Sequence, residues 1–141
     1  MNDGSPFAFL IAVAVVGVLL LLAISMTKKK RHAFDKEDYQ IDLARIEKSL
    51  QQGNEATYAM AIIEGDKLLD KALCEMGVAG RTMGDRLKKV GNTKFSEVNK
   101  VWSAHKIRNR IAHESDFQPD YKQAKNALAA YKQALKDLGA I

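Results

Sequence analysis

Residues 98–113 read VNKVWSAHKIRNRIAH. Drawn as a helix at about 100° per residue with Arg108 at zero, Val101, Ala112, His105, Val98, Asn109, Trp102 and His113 fall between roughly 20° and 140°. That face is apolar in its first turns (Val98, Val101, Trp102) and polar in its last (His105, Arg108, Asn109, His113). Ala104, Ile107 and Ile111 form a second apolar strip nearly opposite. A helix apolar on two sides is wedged between neighbours. The segment therefore predicts a helical bundle with a polar recess along one of its inner helices.

The flanking sequence continues the pattern. Two prolines, few β-branched runs and clear 3.6-residue spacing predict helices only. A first helix is expected over about 35–52, with Tyr39, Leu43, Ile46 and Leu50 on one side. Gly53-Asn54 breaks it, and Asn54 is expected to cap a second helix running to about Met76, with Ala59, Ile62, Leu69, Leu73 and Met76 as its stripe. Gly77-Val78-Ala79-Gly80 makes a turn. Thr82 and Asp85 fit a capping box that opens a short helix ending near Val90-Gly91. Ser96 is expected to cap the helix quoted above. Pro119 suits the first turn of a last helix, on which Tyr121, Ala124, Leu128, Tyr131, Leu135 and Leu138 are aligned, and Gly139 ends it. Four long helices, a short one and brief links predict an antiparallel four- to five-helix bundle over residues 33–141.

Residues 7–26 carry no charge and are mostly Ala, Val, Leu and Ile. At 1.5 Å per residue they match the roughly 30 Å of a bilayer's hydrocarbon, so residues 1–32 are expected to form a single transmembrane anchor with a basic juxtamembrane segment. A cleaved secretory signal would carry its cations in front; here Lys28, Lys29, Lys30, Arg31 and His32 follow the apolar run. The cations predict an N-terminus outside and a cytoplasmic C-terminal domain, at an inner or plasma membrane, with the basic segment against anionic headgroups.

The net charge of +5 is concentrated in that basic cluster. Residues 28–31 hold four of the 22 Lys and Arg, and Asp3 is one of the 17 acids, which leaves 18 cations against 16 anions. An excess of +2 is no broad electrostatic footprint for nucleic acid, so any RNA contact would be local. The single cysteine, Cys74, excludes an internal disulfide and reads as a small buried residue. Three unclustered histidines predict no metal site, and no glycine-rich phosphate loop or other cofactor motif is present.

The candidate chemistry lies at the end of the quoted helix. Arg108 offers a permanently charged planar fork that suits phosphate, and His113 a ring that gives or takes a proton near neutrality. By the helical wheel these two diverge by about 140°, so they share a ligand only if the arginine reaches round or a second copy contributes; a homodimer is expected. Asn109 and His113 are i, i+4 neighbours and meet directly. Asp66 occupies the middle of the Ile62–Leu69–Leu73 stripe, where a charge is costly unless paired. Its candidate partners are Arg108, His105 and His113. It either pairs with Arg108 to hold two helices in register, orients the arginine or raises the basicity of a histidine, or turns outward. Asp70, a turn later, reads as solvated. His105 reads as a packing histidine, Trp102 as a core anchor, and Tyr58, Tyr121 and Tyr131 as core edges.

Arg108-Asn109 followed after three residues by His113, with the acid-bearing helix of residues 61–70 upstream, resembles the HEPN superfamily (higher eukaryotes and prokaryotes nucleotide-binding domains) over roughly residues 35–138. The resemblance implies an up-and-down helical bundle that, in many members, cleaves RNA without metal at a homodimer groove. It implies that His113 acts as general base or acid on a ribose 2′-hydroxyl or the leaving oxygen and that Arg108 stabilises charge on the phosphate. Asn109 would orient His113 or the phosphate, and Asp66 would hold Arg108. Other members keep the fold as binding or assembly modules. Two functions therefore stand side by side: an endoribonuclease of defence or toxin type, and a non-enzymatic interaction module for a protein partner. Nucleotide binding without cleavage is a third.

Overall fold

The computed structural model describes residues 6–26 and 34–141. Among these the chain is helical without a strand: α1 Pro6–Met26, α2 Lys36–Ser49, α3 Ala56–Glu75, α4 Met83–Lys94, α5 Val98–His113 and α6 Tyr121–Leu138. It divides into two compact units, Met1–Arg31 and His32–Ile141.

In the first unit the apolar run forms α1, of 21 residues, but the membrane expectation is corrected. Among the described residues no helix is long and apolar enough to cross a membrane. The single-pass anchor falls with this finding, and so do the inner- or plasma-membrane localisation and the inside–outside topology. The basic residues 28–32 lie outside the described residues.

The second unit is a bundle built round α3, which packs against α2, α4, α5 and α6. Direction follows from which residues meet. Tyr39 near the start of α2 lies 4.8 Å under the Lys71 ammonium, and Arg45 pairs with Glu64 at 3.6 Å, so α2 and α3 run antiparallel. The Tyr58 and Tyr121 rings lie 5.8 Å apart and Tyr131 reaches Asp66, so α3 and α6 run the same way. The start of α5 meets the end of α6 through Ser96 and Asp137, which makes those two antiparallel. The apolar stripes turn inward as their spacing requires: Tyr39, Leu43 and Ile46 from α2, Ile62, Leu69 and Leu73 from α3, Val101 and Ala104 from α5, Leu128, Tyr131 and Leu135 from α6 are all buried.

Helix ends follow local chemistry in part. The Thr82 hydroxyl accepts from Asp85 N while the Asp85 carboxylate accepts from Thr82 N, the reciprocal box expected of that tetrapeptide. α4 breaks at Gly91, whose φ of +43° is open to glycine and strained for other residues. Asp120 and Gln123 make a second capping box at α6, and Gly139 closes α6 at φ +75°. Two expected caps are corrected. Asn54 precedes α3 without a side-chain cap, since Glu55 takes the N-cap position. Ser96 does not cap α5, because its amide and hydroxyl both donate to Asp137, at 2.7 and 2.8 Å.

Candidate functional site

The site grows from Asp66, which is 2% exposed in the middle of α3. A carboxylate so placed must be compensated. Oδ1 lies 2.8 Å from His105 Nδ1 on α5 and accepts from the Tyr131 hydroxyl on α6 at 3.2 Å. Oδ2 faces Arg108 Nε at 3.5 Å, an ion-pair distance, and that Nε is buried without a hydrogen-bond acceptor among the described residues. The Arg108 guanidinium donates through a terminal nitrogen to Asn109 Oδ1 at 3.2 Å. One carboxylate thus ties α3, α5 and α6 together, and the outward-turned alternative for Asp66 is excluded. The expected Arg108 partnership is present, but its closer partners are His105 and Tyr131.

An ionised carboxylate only accepts, so Nδ1 of His105 carries the shared hydrogen and, in the neutral ring, Nε2 keeps a free lone pair. The Tyr131 ring is fully buried, a correction to its reading as a core edge. Burial, the Asp66 charge and the hydrogen bond to Asp66 push the phenol far above its ordinary 10.0, so it stays protonated and donating.

On the solvent side of this network lies a cleft of about 640 Å³ between α3, α5 and the start of α4. Arg108, Asn109 and His113 all line it, together with Asp66, His105 and Trp102. The divergence expected of Arg108 and His113 from their angular positions does not keep them from one space. His113 is exposed at the last turn of α5, and among the described residues its ring has no hydrogen bond or ion pair.

The charges round the cleft are asymmetric in their engagement. Asp66 is taken as described. Asp70, expected to be solvated, instead pairs with Arg86 at 2.9 Å. Asp85 is held by the α4 cap, where hydrogen bonds from Thr82 keep its carboxyl below the ordinary 3.8. Lys67, Lys88 and Lys106 also line the cleft, and no ion pair holds any of them among the described residues. The available positive charge at this recess is thus larger than the nearly balanced composition of the bundle suggests.

Trp102 is half-buried, its ring edge-on to His105 with the ring centres 6.1 Å apart, so it anchors α5 and still faces the cleft. Cys74 is exposed, which corrects its expected burial: it faces away from the α3 stripe. Among the described residues no group of three or more His, Cys, Asp or Glu could hold a metal ion. The Tyr131 hydroxyl and the lysine rim carry no local signal in the sequence, because their positions lie on separate helices. Only the placement of Asp66 within an apolar stripe signalled that a polar network had to form. No family model matches the chain, and no match is found among curated proteins or solved structures.

Proposed function

We propose that this chain is a HEPN-like endoribonuclease that cleaves single-stranded RNA without a metal, in the cleft lined by Arg108, Asn109 and His113. The observation that carries the reading is the convergence of these three side chains on one recess, where Asp66 and Asp70 are ion-paired and Lys67, Lys88 and Lys106 stand in no ion pair among the described residues. Such a recess favours a phosphodiester over an uncharged ligand. The unpartnered ring of His113 would take the proton of a ribose 2′-hydroxyl, and the 2′-oxygen would attack the adjacent phosphorus. Arg108, steadied by Asp66 and Asn109, would face the charge that develops on the phosphoryl oxygens. The products would be a 2′,3′-cyclic phosphate and a 5′-hydroxyl. Because arginine and histidine share a cleft within one chain, a homodimer is an added proposal and the chemistry does not require it.

The full chain with a single-stranded RNA in the presence of chelator tests this. Cleavage that ends in a 2′,3′-cyclic phosphate and disappears in His113→Ala is the expected result; equal cleavage by the variant removes His113 from the chemistry. The inward pairing of Arg108 with Asp66 favours a second reading, a non-enzymatic interaction module in which the network is purely structural. Under it, Arg108→Ala lowers the melting temperature and the RNA stays intact with every variant.

A further inference from the structure

Resting on the ribonuclease reading, we propose that His105 is a second catalytic imidazole of the same cleft, the general acid that protonates the leaving 5′-oxygen. Three observations lead there. First, Asp66 fixes the ring by its Nδ1, at 2.8 Å, which aims Nε2 the other way and places a negative charge behind the ring when Nε2 carries a proton. Second, among the described residues Nε2 has no hydrogen bond, yet it is not among the sealed polar atoms left without a partner there, which are Tyr39 Oη, Arg86 Nε and Arg108 Nε. His105 keeps 7% of its surface and lines the cleft, so this nitrogen opens toward the recess. Third, the residue across from it is Gly84 at the start of α4: a Cβ there would sit 3.5 Å from Nε2, and glycine leaves that space open.

The spacing along α5 suits a single phosphodiester. His105, Asn109 and His113 follow one another at i, i+4 and i+8, with Arg108 beside the middle position. Two turns separate the outer imidazoles by about 12 Å of helix rise. A phosphodiester with a hydrogen bond at either end spans roughly 9 Å, comparable with that separation. Arg108 and Asn109 then flank the phosphorus.

The step balances. His113 takes the 2′-hydroxyl proton, the bond from 2′-oxygen to phosphorus forms, the bond from phosphorus to 5′-oxygen breaks, and His105 Nε2 gives its proton to that oxygen. Both rings return to their starting protonation by exchange with water.

The test replaces the leaving atom. The full chain is assayed on two RNA oligonucleotides of one sequence, with a single scissile linkage carrying either the ordinary 5′-oxygen or a bridging 5′-sulfur. A thiolate, with a pKa near 8.5, leaves without being protonated. In His105→Asn the amide nitrogen keeps the hydrogen bond to Asp66 and the titrating Nε2 is lost. This variant should slow the oxygen linkage by about 10²-fold or more and the sulfur linkage by less than about tenfold. Gly84→Ala, which covers Nε2 and leaves the Asp66 network untouched, should show the same selectivity and keeps the test open if His105→Asn does not fold. His113→Ala should slow both linkages. Equal slowing of both linkages by the His105 and Gly84 variants, or no slowing of either, overturns the assignment in an otherwise active enzyme. Wild-type protein that cleaves neither linkage overturns the ribonuclease reading and this one with it.

Discussion

A single carboxylate, Asp66, faces three polar groups from two other helices, and its energetics are those of a buried charge. Removing one partner of such a pair costs more than the pair itself contributes, because the remaining group stays desolvated and uncompensated. Asp66→Ala should lower stability by about 3–5 kcal/mol, read as a fall in the denaturant midpoint with little change of slope. Tyr131→Phe removes one hydrogen bond to a charged acceptor and should cost about 1.5–3 kcal/mol. The phenol also sets an alkaline limit. Its pKa is raised in the folded state, so the stability it contributes is complete below pH 10.0 and is lost as the pH climbs past that value. In Tyr131→Phe that alkaline decline should be shallower in thermal melts between neutral and strongly basic buffer.

At the level of elements, α3 and α6 come close because position 65 carries no side chain. A Cβ there would lie 2.7 Å from the Tyr131 ring and 3.0 Å from Leu128, both buried. Gly65→Ala should gain helix propensity, yet destabilise by about 1–3 kcal/mol, since a packed ring cannot move aside. Circular dichroism melts of the variant would check the sign. The junction of α5 and α6 is sensitive to acid instead. Burial works to raise the Asp137 pKa, but hydrogen bonds from Ser96 and Gln133 outweigh it and hold the carboxyl below its ordinary 3.8. A lowered pKa stabilises above the unfolded value and is lost as the pH falls through the folded one. Acid titration of Asp137→Asn should therefore lack part of the wild-type loss of stability below about pH 4. These two junctions also mark where reading the sequence stops. The Thr82–Asp85 box, the Gly91 break and the Gly139 cap were legible because each is settled within four residues. Ser96 looked like a cap by the same rule, but its hydroxyl is claimed by Asp137, 41 positions away. No local pattern carries that information. Asp66 was legible as needing a partner, and Arg108, Asn109 and His113 as a group on one helix. Its choice of His105 and Tyr131 depended on helix directions that only the fold supplies.

On the scale of the whole molecule, every core residue among those described falls between Tyr39 and Ala140, in the second unit. A fragment of residues 34–141 should therefore fold alone and melt cooperatively at the temperature of the same transition in the full chain; a fragment lacking a cooperative melt would overturn this. The balance of charge over that unit hides a local bias, with Lys67, Lys88, Lys106 and Arg108 gathered at one recess. If single-stranded RNA seats there through three or four phosphates, the logarithm of affinity should fall with the logarithm of salt at a slope of about −2 to −3. A slope near zero would place binding elsewhere.

The three-way engagement of Asp66 carries an evolutionary consequence. An apolar substitution at position 66, 105, 108 or 131 taken alone leaves the remaining members of the network short of a partner in a buried setting. Replaced together by apolar residues of similar volume, the same four could yield a bundle as stable as the original, though without the proposed chemistry. The quartet should behave as an epistatic block: deleterious singly, tolerated as a set, and held in its polar form only where selection acts on what the recess does.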